Sequence, residues 1–298
     1  MMVGYKYLVR EGESVDLRKR ATRDAPLYSS RADYEAKLRA KVARLSELQE
    51  VFYAADRFAL LIILQGMDTA GKDGVIRHVL SGVNPQGLEV HSFKQPTAEE
   101  VHHDFLWRAW RVLPQRGRIG VFNRSYYEEV VVVRVHPEFL AAQGFAEEQG
   151  GDKDFWKARY RAVVEMERHL HRSNLRILKF MLHLSMEEQR QRLLARIDEP
   201  DKHWKVRAGD ITERARWKDY VKAYEDCLAA TSTDEAPWFV VPADDKQNAR
   251  LIVADIVVAT LEAMDLRYPE LGKKQRDELE ALRRELAKPA NSADAAKG

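Results

Sequence analysis

The sequence predicts an α/β protein, a three-layer sandwich in which helices cover both faces of a mostly parallel sheet. Three observations predict it. Short apolar runs alternate with amphipathic helical segments along most of the chain. One run, Ala59 to Leu64, is unbroken and rich in branched side chains, the pattern of a strand buried on both faces. That run ends at Gln65-Gly66 in a glycine-spaced turn, and an amphipathic segment follows at once (Val75, Ile76, Val79, Leu80).

The elements follow in order. Residues 1–28 are polar, carry both signs of charge and include Pro26, and read as an extended arm. Ser30 with Asp33 resembles a capping box. It opens a helix whose Tyr34, Leu38, Val42, Leu45, Leu48 and Phe52 form one apolar stripe, fit either for packing on the body or for a dimer seam. After the Ala59 strand, Leu88 to Phe93 alternates and reads as a second strand. Thr97 then caps a long helix running through Trp107 and Trp110 and stopping before Pro114. Ile119 to Phe122, Leu175 to Leu184 and Trp238 to Val241 complete five expected strands. Helical patterns occupy Phe155 to Leu170, Glu187 to Arg196, Ile211 to Leu228 and Ala249 to Met264. A charged helix from Lys273 to Lys288 and a disordered tail over 289–298 end the chain.

Composition narrows the function classes. The chain has 298 residues, and its 49 basic residues nearly balance 47 acidic ones. Bulk charge therefore does not suit a protein that coats nucleic acid, and the six tryptophans are scattered instead of interleaved with a basic stripe. No apolar run is long enough to span a membrane, and the first residues lack the apolar core of a secretory signal. The lone cysteine, Cys227, leaves no internal disulfide and no cysteine metal cluster. Cytoplasm is the expected compartment, without nucleic-acid or membrane partners. Any polyanion site must be assembled locally.

Chemistry concentrates at the turn Gly66-Met67-Asp68-Thr69-Ala70-Gly71-Lys72-Asp73-Gly74. Strand, glycine loop, lysine and helix together make a phosphate-binding loop of G-x-x-x-x-G-K type. Glycines let backbone N–H groups converge on phosphate oxygens, the helix N-terminus adds its dipole, and Lys72 adds a full charge. Asp73 stands where most such loops carry Ser or Thr. Asp68 reads as a carboxylate serving magnesium or the reaction, or as a turn-former bonding its own backbone. Asn123 ends the third strand, where an acid commonly holds magnesium. Arg124 beside it is placed to clamp phosphate, or to pair with Glu128 or Glu129.

A basic segment (Arg190, Arg192, Arg196, Lys202, His203, Trp204, Lys205, Arg207, Arg214, Arg216) with interleaved acids reads as a lid over about 187–218, or as a solvated helical face. His102-His103-Asp104 makes no metal site, since adjacent helical histidines diverge and no second cluster completes one.

Four stretches in this order resemble the polyphosphate kinase 2 family: Gly66 to Gly74, Phe93-Lys94-Gln95-Pro96-Thr97, Phe122 to Glu128 with Val132 to Glu138, and Arg196 to Lys205. The likeness covers roughly Tyr34 to Tyr268. It implies a P-loop kinase-like, thymidylate-kinase-like core with a helical lid, and one domain over 1–288: arm and first helix 1–55, core 56–268, C-terminal helix 269–288. It implies reversible, magnesium-dependent phosphoryl transfer between inorganic polyphosphate and the nucleotides AMP, ADP and ATP. By the same likeness, Asp68 and Lys72 serve the transferring phosphoryl and its Mg2+, Arg124 contacts phosphate, and Arg192 or Arg196 is the lid arginine. Gly66, Met67, Thr69, Ala70, Gly71, Asp73 and Gly74 cradle substrate; Arg77, Lys94, Glu128, Arg134 and Lys202 line the polyphosphate or nucleotide channels. Asn123, where ADP-favouring members carry Asp, resembles the class III type that takes both AMP and ADP. A homodimer or homotetramer is implied as well.

Overall fold

The computed structural model describes residues 3–205 and 208–288, so Arg207 of the basic segment and the 289–298 tail lie outside the described residues. The chain divides into two units, Met1–Leu266 and Arg267–Gly298. In the first unit the elements are β1 (Leu8–Val9), α1 (Arg31–Ala55), β2 (Ala59–Gln65), α2 (Lys72–Val79), β3 (Leu88–Ser92), α3 (Ala98–His102), α4 (Trp107–Trp110), β4 (Ile119–Asn123), α5 (Glu128–Val135) and α6 (Phe139–Ala142). They continue with α7 (Lys153–Arg172), β5 (Leu175–His183), α8 (Met186–Asp198), α9 (Ala208–Ala215), α10 (Trp217–Thr231), β6 (Trp238–Pro242) and α11 (Lys246–Ala263). The second unit contains α12 (Lys273–Leu286), a helix with no buried residue.

One sheet runs in the order β1-β6-β5-β2-β4-β3. Strand β2 lies at its centre, parallel to β4 on one side and β5 on the other, and every one of its residues is buried. Successive side chains point to opposite faces. Leu61 and Ile63 join Phe122, Ile177, Val163 and Leu228 in one core, beneath α5, α7 and α10. Leu60, Ile62 and Leu64 join Val121, Phe180, Val79 and Ile252 in the other, beneath α2 and α11. Three layers follow, as the sequence predicts. Each such Leu or Ile contributes about 1.5–3 kcal/mol on full burial.

Three corrections have physical causes. The sheet has six strands, not five, because the arm folds onto its edge: Leu8 and Val9 pair antiparallel with Phe239 and Trp238. Two residues are too few to show a period, so only the tertiary partner reveals the strand. The long helix after Thr97 is broken into α3 and α4. Thr97 and Glu100 do form a reciprocal capping box, but His103 is extended (φ −99°, ψ 172°) and the Asp104 carboxylate accepts the Leu106 N–H at 2.9 Å, restarting the chain in a new turn. The helix expected over Ile211 to Leu228 is two, α9 and α10, divided at Arg216, whose ψ of 18° is non-helical and whose Nη1 donates to Val135 O at 2.6 Å. Segment α5 is helical despite four consecutive valines, since Val130, Val131, Val133 and Val135 are buried in the core on that side.

The stripe on α1 packs on the body: Tyr34 and Leu38 cluster with Leu251 of α11, and Lys41 and Arg44 pair with Asp255 and Glu262. At its start Ser30 Oγ accepts the Asp33 N–H at 3.1 Å. The Asp33 carboxylate reaches Ser29 N and not Ser30 N, so the box is displaced by one residue.

Candidate active site

The phosphate loop leaves the carboxyl end of β2 and enters α2 at Lys72. Backbone conformation there demands particular residues. Gly66 has φ +142°, and a Cβ would lie 2.8 Å from Leu182 O, so only glycine fits. Gly71 has φ +110° and, less comfortably, Thr69 has φ +68°. The first N–H groups of α2 have no intrahelical acceptor and are available to an anion.

The loop is propped from behind. Arg192 of α8 is buried, and its Nη1 donates to Thr69 O (2.9 Å) and Ala70 O (3.1 Å). Its Nη2 donates to Ala243 O (2.6 Å) and Asp244 O (3.2 Å). Nε completes the set on Glu188 at 2.8 Å. Gln189 Nε2 donates to Asp68 O at 3.2 Å, and the Gly66 N–H donates to Tyr224 OH at 3.2 Å. Arg192, expected as a lid arginine, is thus engaged on loop carbonyls. Arg196 on the same helix is half-buried.

Charges gather at the front. Lys72 is buried and its Nζ donates to Gly66 O (2.7 Å) and Met67 O (3.3 Å). Burial, and after it the Arg124 guanidinium, push its ammonium down to about 8. Arg124 sits just past β4 in the left-handed region, φ +64°. Its Nη1 donates to Glu128 Oε2 at 3.0 Å and its Nη2 to Asp68 Oδ1 at 2.6 Å, and Glu128 foremost raises it further above its ordinary value. Asp68 therefore bonds a guanidinium through its carboxylate, and Glu129 turns away to Arg108 at 3.0 Å. Asn123 Nδ2 donates to Asp73 Oδ1 at 2.8 Å.

The remaining expected residues divide. Arg77 and Lys94 are exposed, and Gly74 lies against Arg250, whose Nη2 would be 3.2 Å from an added Cβ. Lys202 pairs with Glu199. The ammonium of Lys246, at the start of α11, is pushed down by burial, then by Arg192, with Lys202 and Arg250 adding to it, so cations from three elements converge beside the loop. Arg134 is not brought to the loop. Its guanidinium bonds Tyr160 OH and Asp226, both at 2.6 Å, tying α5 to α7 and α10. Sequence reasoning missed Gln189, Tyr224, Lys246 and Arg250. Gln189 had a signal, lying three residues before Arg192 on one helix face; Tyr224 had none.

Magnesium fits this set. Mg2+ takes one or two carboxylates and completes its shell with substrate phosphates and water. Asp68 and Glu128 supply hard oxygens at the loop mouth, and the buried Thr69 Oγ1 has no partner among the described residues. No cluster of three or more candidate ligand side chains occurs among the described residues, so protein groups alone do not enclose a cation.

Fold and loop together define a phosphate-loop protein of the kinase-like type. Residues 28–269 match the family described as Polyphosphate kinase 2, and the chain belongs to that family. It is 55% identical over 283 residues to an ADP-polyphosphate phosphotransferase of Rhodopseudomonas palustris, covering 95% of this chain and 98% of that one. It is 45% identical over 227 residues to an AMP/ADP-polyphosphate phosphotransferase of Meiothermus ruber, covering 76% and 80%. Among solved structures, polyphosphate kinase 2 from Arthrobacter aurescens TC1 superposes with a TM-score of 0.85 at 39% identity, covering 95% of this chain and 97% of that one.

Proposed function

We propose that this protein is a polyphosphate:nucleotide phosphotransferase, moving a phosphoryl group reversibly between inorganic polyphosphate and AMP or ADP, with ATP as the final product. The observation that carries the reading is the gathering of two cations, Lys72 and Arg124, at a phosphate loop, with Arg124 bonded to both Asp68 and Glu128. The names of the relatives support the donor.

A phosphate in the loop gives the Lys72 ammonium a charged acceptor in place of the carbonyls of Gly66 and Met67. Arg124, turned from Asp68, places its planar fork on the transferring phosphoryl oxygens. Arg192 and Gln189 hold the loop carbonyls, keeping the N–H groups of the loop in register for phosphate. Magnesium, held by Asp68 with Glu128 nearby, would neutralise charge on the phosphate oxygens. The acceptor is itself an ionised phosphate, so no strong base is needed; the chemistry is positioning and charge neutralisation. The cations of Lys202, Lys246 and Arg250 suit the path of a polyanion. Arg77 and Lys94 belong to the same proposal as substrate contacts, and the segment over 187–218 as its lid.

Acceptance of AMP as well as ADP rests on Asn123, an amide where ADP-favouring members carry Asp. The two relatives' names divide on this point, and the proposal sides with dual use. It extends to a homodimer or homotetramer in the cytoplasm; among the described residues no helix is long and apolar enough to cross a membrane.

The test is to incubate the protein with magnesium, long-chain polyphosphate and AMP, without ATP, and to separate the nucleotides. ADP followed by ATP is expected, and a chelator should stop it. Phosphorylation of added ADP alone would overturn the Asn123 argument. No product from either nucleotide would overturn the donor assignment.

A further inference from the structure

Four fully buried side chains have no part in the scheme above: Glu167 of α7, Lys179 of β5, and Tyr126 and Tyr127 in the link from β4 to α5. Lys179 interrupts the apolar run from Ile177 to Leu182. Its Nζ donates to Glu167 Oε2 (2.6 Å), Thr231 O (2.7 Å) and Tyr127 OH (2.9 Å). Glu167 Oε1 accepts both phenols, Tyr126 OH at 2.7 Å and Tyr127 OH at 2.8 Å. Every polar proton and carboxylate oxygen of the set is thus engaged. Burial, and after it Glu167, push both phenols well above their ordinary value, so the hydroxyl protons stay in place at neutral pH. A hydrophobic set of equal volume would serve stability as well. What the charges add is direction, since two rings must aim at one oxygen.

That direction bears on Arg124. Along the chain the two tyrosines stand between Arg124 and its ion partner Glu128. Arg124 has φ +64°, a left-handed conformation that a residue other than glycine keeps only where its surroundings hold it. Here it is held on both sides. Upstream, the Arg124 N–H donates to Leu64 O at 3.0 Å. Downstream, Ser125 Oγ accepts Gln65 Nε2 at 3.2 Å and the Tyr127 N–H at 3.1 Å, and Glu167 then pins the next two rings. The bonds of the guanidinium itself go to Asp68 and Glu128, so the buried set acts on it through the backbone.

We propose that Glu167, Lys179, Tyr126 and Tyr127 are positioning residues that fix the Arg124 guanidinium at the phosphate loop; the inference rests on the function proposed above for what Arg124 does, but not for where it is held. Tyr127→Phe keeps the ring and removes the hydroxyl shared by Lys179 and Glu167. Tyr126→Phe, which takes one donor from Glu167, is the second variant should the first not fold. Each should lower kcat at least about tenfold at a temperature well below its Tm, with KM for the nucleotide within about twofold. In an Arg124→Ala background the same change should alter kcat by less than about twofold, because the group it positions is gone. Thr231→Val is the control. It removes the hydroxyl that accepts Trp238 Nε1 at 2.9 Å, at the other end of the network, and should lower Tm with kcat unchanged. The guanidinium is also read without any ligand, by heteronuclear NMR of the Arg124 Nη protons, assigned by their absence in Arg124→Lys. Held by two carboxylates, they resonate separately; in the tyrosine variants they should merge or broaden, and in Thr231→Val they should persist. Unchanged kcat in both tyrosine variants, an equal loss of kcat in Thr231→Val, an undiminished loss in the Arg124→Ala background, or an unmoved guanidinium signal would each overturn the proposal. A displaced signal in a protein that transfers nothing from polyphosphate would uphold the positioning and strike only at the functional reading.

Discussion

Binding of a phosphate ligand should draw a proton onto Lys72 at alkaline pH. The side chain is 8% exposed, and its ammonium is pushed from 10.5 to about 8, by burial first and by Arg124 second, against the opposing pull of Asp68, Glu128 and Asp73. The folded value is depressed, so below about 8 the charged lysine destabilises the folded state by roughly 3 kcal/mol. That cost is relieved as pH rises from about 8 to the unfolded value near 10.5, and stability linked to this group increases across the window. A bound phosphate supplies the charge that burial withheld and restores the proton. Calorimetric titration with tripolyphosphate, in two buffers of different ionisation heat, counts protons taken up. Uptake should be near zero at about pH 7 and approach one proton at about pH 9, with affinity falling about tenfold per pH unit between about 8 and 10. Protons exchanged by tripolyphosphate itself are common to wild type and Lys72→Met, so the difference between the two counts those taken up by Lys72. Arg124→Gln should move the midpoint upward, because the strongest opposing charge is gone. Equal uptake at about pH 9 in wild type and Lys72→Met, or none in wild type, would refute the reasoning.

Other expectations concern single groups. Arg192→Ala strips donors from four carbonyls and should cost about 3 kcal/mol, read as a lower Tm, together with a loss of kcat on both acceptors; an unchanged melt would remove its supporting role. Lys179→Met leaves Glu167, paired with it at 2.6 Å and fully buried, without a counter-charge. Denaturant unfolding should show a loss of about 3–5 kcal/mol, much of it recovered by adding Glu167→Gln. Asn123→Asp sets a carboxylate against Asp73 and should lower kcat/KM for AMP relative to ADP; an unchanged ratio would show that Asn123 does not choose the acceptor.

Much of the frame was legible because its causes are local. The β2 apolar run, the glycines of the loop and the stripe on α1 announce themselves within a few residues, through side-chain period and backbone conformation. Errors arose where a short-range pattern competed with a distant partner. The Thr97 helix carried its expected cap but was interrupted by the Asp104 turn. The helix expected over Ile211 to Leu228 was likewise divided at Arg216, whose guanidinium reaches the distant Val135 carbonyl.

The sequence by itself determined that a buried parallel strand ends in a phosphate loop with Lys72 at the helix start, and its motifs determined the family resemblance. Tertiary structure alone decided what state and company those residues keep. Arg124 meets Asp68 across 56 positions and Arg192 reaches Thr69 across 123, separations that no local pattern encodes. Which arginine braces the loop, which one pairs with Asp68 and Glu128, and how far the Lys72 ammonium is depressed depend on burial and on charges brought together by the fold.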